Sequence, residues 1–252
     1  MKDDLISKIN QFFENANFQY GIEIKLDGKI VFQKNSDFSF PSASLIKMAI
    51  LATLMDSDIP LSQEVSLNRE NIVEGSGIIQ VIQPKALSVR ELAGLMISVS
   101  DNSATNELID LIGRSSVNKW LRDHFYEQTV LKRKMMDINA LSNGFDNNIS
   151  AHEAIRLLEQ CLQFGNLTAN WFLNQQFKYK LPGNFIEEDE GTKTYNKTGE
   201  GENLDHDVCH FVYQDHNADV ALLTDDFAVR SEIISIFNKI GQEIVNFLKN
   251  KN

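Results

Sequence analysis

Segments with strand character lie at both ends of this 252-residue chain, and the stretch between them, from Ser44 to about residue 175, reads mainly as helix. Near the start, Gly21–Lys25 and Lys29–Gln33 alternate around Leu26-Asp27-Gly28, and Asp-Gly between alternating segments predicts a tight hairpin. Strand character returns at Thr192–Thr198, Val208–Tyr213 and Ala218–Thr224. One helix is expected over residues 4–16, with Leu5, Ile9, Phe12 and Ala16 on one face, and another from about 227 to 249. The pattern predicts an α+β architecture, an antiparallel sheet interrupted by a helical insertion. The sheet part would take residues 1–43 and 176–252, the helical part 44–175, with a site in the cleft between them.

Within the helical part, Ser88-Val-Arg-Glu91 and Ser150-Ala-His-Glu153 have the spacing of capping boxes, and Gly113 is placed to end a helix that begins near Ser103. Residues 41–51, PSASLIKMAIL, pose the sharpest question. Past Ser44 this helix is apolar on every side except for Lys47, and a buried lysine must be paired or neutral. Either Lys47 reaches water along its alkyl stem, or it shares a helix face with Ser44 as a neutral amine able to take the serine proton. A second Ser-x-x-Lys, Ser116 to Lys119, lies in a polar stretch that calls for no chemistry.

Two further segments bear on the choice. Ser100-Asp101-Asn102 stands between two apolar-periodic helices, where small polar residues ordinarily act as caps. Lys197-Thr198-Gly199 ends an expected strand, where a glycine turn is unremarkable. Taken in order, Ser-x-x-Lys, Ser-Asp-Asn and Lys-Thr-Gly form the motif set of penicillin-recognising serine enzymes. The chain resembles the class A β-lactamase and penicillin-binding-protein family, and LSVRELAGLMISVSDNSATNELIDLIG is similar to that family's central helical segment.

The resemblance implies a β-lactamase/transpeptidase-like fold and a serine hydrolase working through an acyl-enzyme. It implies Ser44 as the nucleophile, Lys47 as its proton acceptor and Ser100 as the proton relay to the leaving nitrogen. Asn102 would hold the substrate amide, Lys197 and Thr198 its carboxylate, and the N–H groups of Ser44 and of Glu200, just after Gly199, the oxyanion. Two departures stand out. The loop position that carries the deacylating glutamate in the family is Met135, with Asp137 the nearest carboxylate and Asn139 placed to hold a water. No Lys or Arg occurs between Gly199 and Thr224, where many relatives place an arginine, leaving His206 as a cation only when protonated.

Three functions therefore remain on one fold: slow β-lactam hydrolysis, D-alanyl-D-alanine carboxypeptidase or esterase activity, and a non-turnover penicillin binder. None calls for a cofactor or metal. In a strand, His206 and His210 are about 13 Å apart, too far to share an ion. A net charge of −11 argues against nucleic acid and anionic membranes as partners. A small-molecule substrate and a monomer are expected. The start shows no signal-peptide pattern and no run spans a membrane, which makes the cytoplasm the default compartment unless a leader has been removed. Cys161 and Cys209 form no disulfide framework and read as small buried hydrophobes.

Overall fold

The structure is a computed structural model describing residues 1–189 and 191–251. Helix α1 (Lys2–Gln11) leads into the hairpin of strands β1 (Gln19–Leu26) and β2 (Lys29–Lys34). Asp27 and Gly28 turn the chain with φ of 45° and 73°, the left-handed pair a type I′ turn requires. Strand β3 (Phe40–Pro41) precedes a 3₁₀ turn, Ala43–Leu45, that runs directly into helix α2 (Ile46–Met55). Strand β4 (Glu64–Ser66), the short helix α3 (Ile79–Ile82) and strand β5 (Ala86–Ser88) follow. Next come helices α4 (Val89–Ser98), α5 (Asn102–Ile112) and α6 (Arg114–Asp123). A loop then carries α7 (Ile138–Ser142) and reaches β6 (Asn148–Ile149), α8 (Ala151–Gln163) and α9 (Asn166–Leu173). The chain closes with β7 (Lys193–Gly201), β8 (Leu204–Tyr213), β9 (His216–Asp225) and helix α10 (Arg230–Lys249).

The five long strands form one antiparallel sheet in the order β2-β1-β9-β8-β7. Strand alternation sends its two faces to different cores. Ile22, Ile24, Phe211, Val220 and Leu222 pack with α1 and α10, including Leu5, Ile9, Phe237, Ile240 and Ile244. Val208, Ala221 and Leu223 instead join the larger core of α2, α4, α5 and α8. Intervening β1 residues meet α8 through polar contacts: Glu23 lies 2.8 Å from His152 Nδ1, and Lys25 forms an ion pair with Glu159 at 2.8 Å.

Local expectations hold to different degrees. Ser88 and Glu91 close both bonds of a capping box, and α5 stops at Gly113, which adopts φ of 85°. At Ser150 only half a box forms. Its hydroxyl accepts from Glu153 N–H, while the Glu153 carboxylate turns to Glu127 N–H, Gln128 N–H and the Thr129 hydroxyl. Helix α1 ends at Gln11, short of the expected residue 16, because Phe13 is needed to stack on Tyr20 at 4.1 Å between centroids. Both cysteines are free and buried. Among the described residues no helix is long and apolar enough to cross a membrane.

Candidate active site

Strand β7 is an edge of the sheet, and its free side faces the turn that carries Ser44. A Cβ at Gly199 would stand 3.1 Å from Ser42 O and 3.2 Å from Ala43 Cβ, so glycine lets strand and turn approach. A cleft of about 500 Å³ opens here, lined by Ser44, Ser100, Asn102, Met135, Thr198 and Glu200 among others. The residues expected to act together therefore converge from α2, the α4–α5 junction and β7.

Lys47 is fully buried in the all-apolar helix α2 and does not reach water. Its Nζ lies 2.6 Å from Ser100 O, 2.8 Å from Asn102 Oδ1 and 3.0 Å from Ser100 Oγ. All three partners are uncharged, and a neutral amine can donate to the first two and accept from the Ser100 hydroxyl. Burial drives the Lys47 pKa well below its ordinary value, the nearby Lys197 pushes the same way, and Asp101 opposes them. Lys197, also fully buried, donates to Ser100 Oγ at 3.0 Å and to Thr198 O at 2.9 Å. Its pKa is lowered to about 7, chiefly by burial. The Ser100 hydroxyl thus sits between two lysine nitrogens, either of which can exchange a proton with it.

The junction that presents Ser100 divides its labour. Asp101 caps α5 through Ala104 N–H at 2.9 Å and also accepts from Ile78 N–H at 2.7 Å and Ile79 N–H at 2.9 Å. Capping, the ordinary reading of Ser-Asp-Asn, belongs to this middle residue alone. Its neighbours are released toward the cleft, Ser100 with a left-handed φ of 53° that non-glycine residues seldom adopt. The second Ser-x-x-Lys lies on α6, where Lys119 forms an exposed ion pair with Asp123.

On the opposite side, Met135 lines the cleft and is pinned by Asn106, which accepts from its N–H at 2.8 Å and donates to its carbonyl at 3.2 Å. Asp137 caps α7 through Ala140 N–H at 2.9 Å, and Asn139 lies exposed on the same helix. Neither belongs to the cleft lining, so of the three loop positions only Met135 reaches the site. His206 also departs from expectation. It is fully buried, pushed down to about 4 by that burial, with Nε2 2.7 Å from Pro41 O and Nδ1 accepting from Thr224 N–H at 3.2 Å. The ring is neutral and supplies no cation to the cleft.

Behind β7 stands a group the sequence reading missed. Buried Lys180 donates to Gly199 O at 2.8 Å and His206 O at 3.1 Å and pairs with buried Asp205 at 2.7 Å. Arg230, at the start of α10, donates to Asp205 at 2.8 and 3.0 Å and to Glu200 at 2.9 Å. The available signal was in Leu204–Asp207: two carboxylates on one face of a strand between two others must be paired or neutralised, and Asp205 takes the cations while Asp207 accepts from Leu181 N–H and Asn196 Nδ2.

The sequence matches the profile described as "Beta-lactamase enzyme family" over residues 4–248. It is 30% identical over 131 residues to beta-lactamase AER-1 of Aeromonas hydrophila, covering 46% of this chain and 43% of that protein. It is 25% identical over 168 residues to the imipenem-hydrolyzing beta-lactamase of Enterobacter cloacae, covering 65% and 58%. The chain thus spans about half the length of these curated relatives. A beta-lactamase from Sphaerobacter thermophilus superposes with a TM-score of 0.85 at 23% identity, covering 99% of this chain and 98% of the other. PBP-A superposes with a TM-score of 0.83 at 18% identity, covering 98% and 96%, a likeness of fold.

Proposed function

Since the chain belongs to the beta-lactamase enzyme family, we propose that it is a serine hydrolase that opens β-lactams or related amides and esters through an acyl-enzyme on Ser44. The observation that carries this reading is the Ser100 hydroxyl held 3.0 Å from both the Lys47 and Lys197 nitrogens at the floor of the cleft. Neutral Lys47 accepts the Ser44 proton as Oγ bonds to the acyl carbon. Backbone N–H groups of Ser44 and Glu200 receive the oxyanion, a contribution of a few kcal/mol in such sites. As the intermediate collapses, the bond from carbon to the leaving nitrogen or oxygen breaks and Ser100 gives that atom its proton. The Ser100 oxygen is reprotonated from the lysine pair. Lys197 and Thr198 face the substrate from β7, and Asn102 holds its acyl amide.

Release is the slow half in this reading. Water must lose a proton to attack the ester, and the thioether of Met135 does not accept one at neutral pH. Asp137, which caps α7, is committed elsewhere. The acyl-enzyme accumulates, and a burst of about one equivalent precedes slow turnover. Intact-mass measurement over time, after mixing with a penicillin and separately with a neutral activated ester, tests both halves. The expected result is an adduct on the Ser44 peptide that forms faster than it decays and is absent in Ser44→Ala. Absence of any Ser44 adduct with either reagent overturns the hydrolase reading, and rapid burst-free turnover overturns slow release.

A further inference from the structure

Lys180 takes no part in the proton transfers of acylation, yet it is completely buried against the strand that borders the cleft. Its Nζ donates to Gly199 O at 2.8 Å and to His206 O at 3.1 Å. Those two residues are partners in the β7–β8 register, and Gly199 is where β7 meets the turn of Ser42 and Ala43. One ammonium thus bridges the carbonyls of both strands beside the nucleophile. Charge pairing alone does not require it. Arg230 already gives Asp205 two bonds, and the Glu200 side chain is exposed to solvent.

The segment that carries Lys180 is itself fixed by α10. Asn238 donates to Tyr179 O at 2.7 Å and to Lys180 O at 2.6 Å, and a Cβ at Gly241 would collide with Leu181 O. Arg230 donates to a Glu200 carboxylate oxygen at 2.9 Å and to the Tyr179 hydroxyl at 3.2 Å, and that hydroxyl bonds the other Glu200 oxygen. Both the carbonyl that precedes Glu200 and its side chain are therefore held from outside the cleft.

Gly199 O and Glu200 N–H belong to one peptide unit. A planar trans peptide sends the two to opposite sides, so a carbonyl bonded on the β8 side leaves the N–H directed to the free edge of β7, where Ser44 lies. A cation on the carbonyl draws electron density through the amide and makes its N–H a better donor; linked hydrogen bonds strengthen one another by roughly 10–30%. We infer that Lys180 is a positioning residue for the oxyanion site, aiming and polarising the Gly199–Glu200 peptide so that the Glu200 N–H meets the charge developing on the acyl oxygen. The inference rests on the hydrolase reading above. Its gain arises as the oxyanion forms, so it belongs to the acylation rate rather than to substrate binding.

The test uses 4-nitrophenyl acetate, isotope-labelled at its carbonyl carbon, on the natural protein, on Lys180→Met and on Lys180→Met/Asp205→Asn. The double variant removes both charges of the buried pair together and carries the test where the single one does not fold. Release of nitrophenolate gives the acylation rate. Infrared difference spectra give the stretch of the acyl-enzyme carbonyl, whose frequency falls as the oxyanion donors polarise it. Expected in either variant is acylation slower by about tenfold, less than the roughly 10²–10³-fold loss of a whole donor. The half-saturating ester concentration should change little, and the carbonyl band should move to higher frequency. An unchanged rate and band in the folded double variant overturn the inference and leave the hydrolase reading standing. A slower rate with an unmoved band makes Lys180 a structural side chain and overturns it too. If the natural protein forms no Ser44 adduct, the hydrolase reading falls and this inference falls with it.

Discussion

Around Ser100, polar groups from α2, the α4–α5 junction and β7 meet in a buried seam, whereas the loop facing them across the cleft presents Met135, Met136, Ile138 and Leu141. Both regions are held with similar care. Lys47 is fixed by three hydrogen bonds, and Met135 is gripped on both backbone groups by Asn106. What differs is the chemistry being held in place. The seam offers lysine amines whose burial lowers their proton affinity, while the loop offers a side chain that exchanges no proton. On the function proposed above, the scaffold keeps the geometry of a two-step reaction and retains the proton-transfer groups of only one step.

The comparison breaks most visibly at Lys47. Lys47→Met should slow acylation by at least ~10², the usual scale for loss of a general base, while far-UV circular dichroism stays unchanged. In the natural protein, acid removes the same function. The base must be neutral, so the acylation rate falls as pH drops through the lowered pKa of Lys47. The plateau therefore extends well below the ordinary lysine value of 10.5. A rate that keeps rising up to 10.5, or a fully active methionine variant, would make Lys47 a structural side chain.

A smaller change should sharpen the contrast from the other side. Met135→Glu places a carboxylate where Asn106 already fixes the backbone, and the slow release phase should quicken by about tenfold, less than the ~10² of a fully positioned general base. Stopped-flow measurement of the burst and of the steady rate separates this from any effect on acylation, and an unaltered steady rate would count against Met135 as the cause of slow release. Smallest of all is Asp137→Asn. The amide keeps an oxygen for the Ala140 cap and removes only a charge, so the release rate should move by less than about twofold, as for ordinary surface substitutions. A large loss would instead make Asp137 the base.

Much of this was legible in sequence because it is local. The Asp27-Gly28 turn, the Ser88–Glu91 box and the Gly113 stop each depend on neighbours within a few residues. The motif set also named Ser44, Lys47, Ser100 and Lys197, and the fold gathers these four around one cleft. Other features depend on distant partners. Strand β8 starts at Leu204, earlier than its apolar pattern, because Lys180 and Arg230 neutralise Asp205 in its buried first turn of sheet. The loss of Glu153 from its capping box, and the burial of His206 against Pro41, are equally invisible until remote segments meet.

The order of the sheet sets a condition on how the chain acquires its shape. Strand β1 pairs along its whole length with β9, from Gln19 with Asp225 to Leu26 with Ala218, and α1 reaches α10 through Lys8 and Glu243 at 2.9 Å. During synthesis β1 leaves the ribosome long before its partner β9 does. Loop-closure entropy delays such distant pairing, so α2, α4, α5 and α8 have time to collapse around their own core first. Pulsed hydrogen exchange during refolding should protect α8 amides before the β1 amides bonded to β9; the reverse order would mean that the sheet, and with it the closing of β7 against Ser44, guides assembly. Under the expected order, the strand pairing that sets β7 against the Ser44 turn comes last, so the residues of the cleft meet only after the helical core is in place.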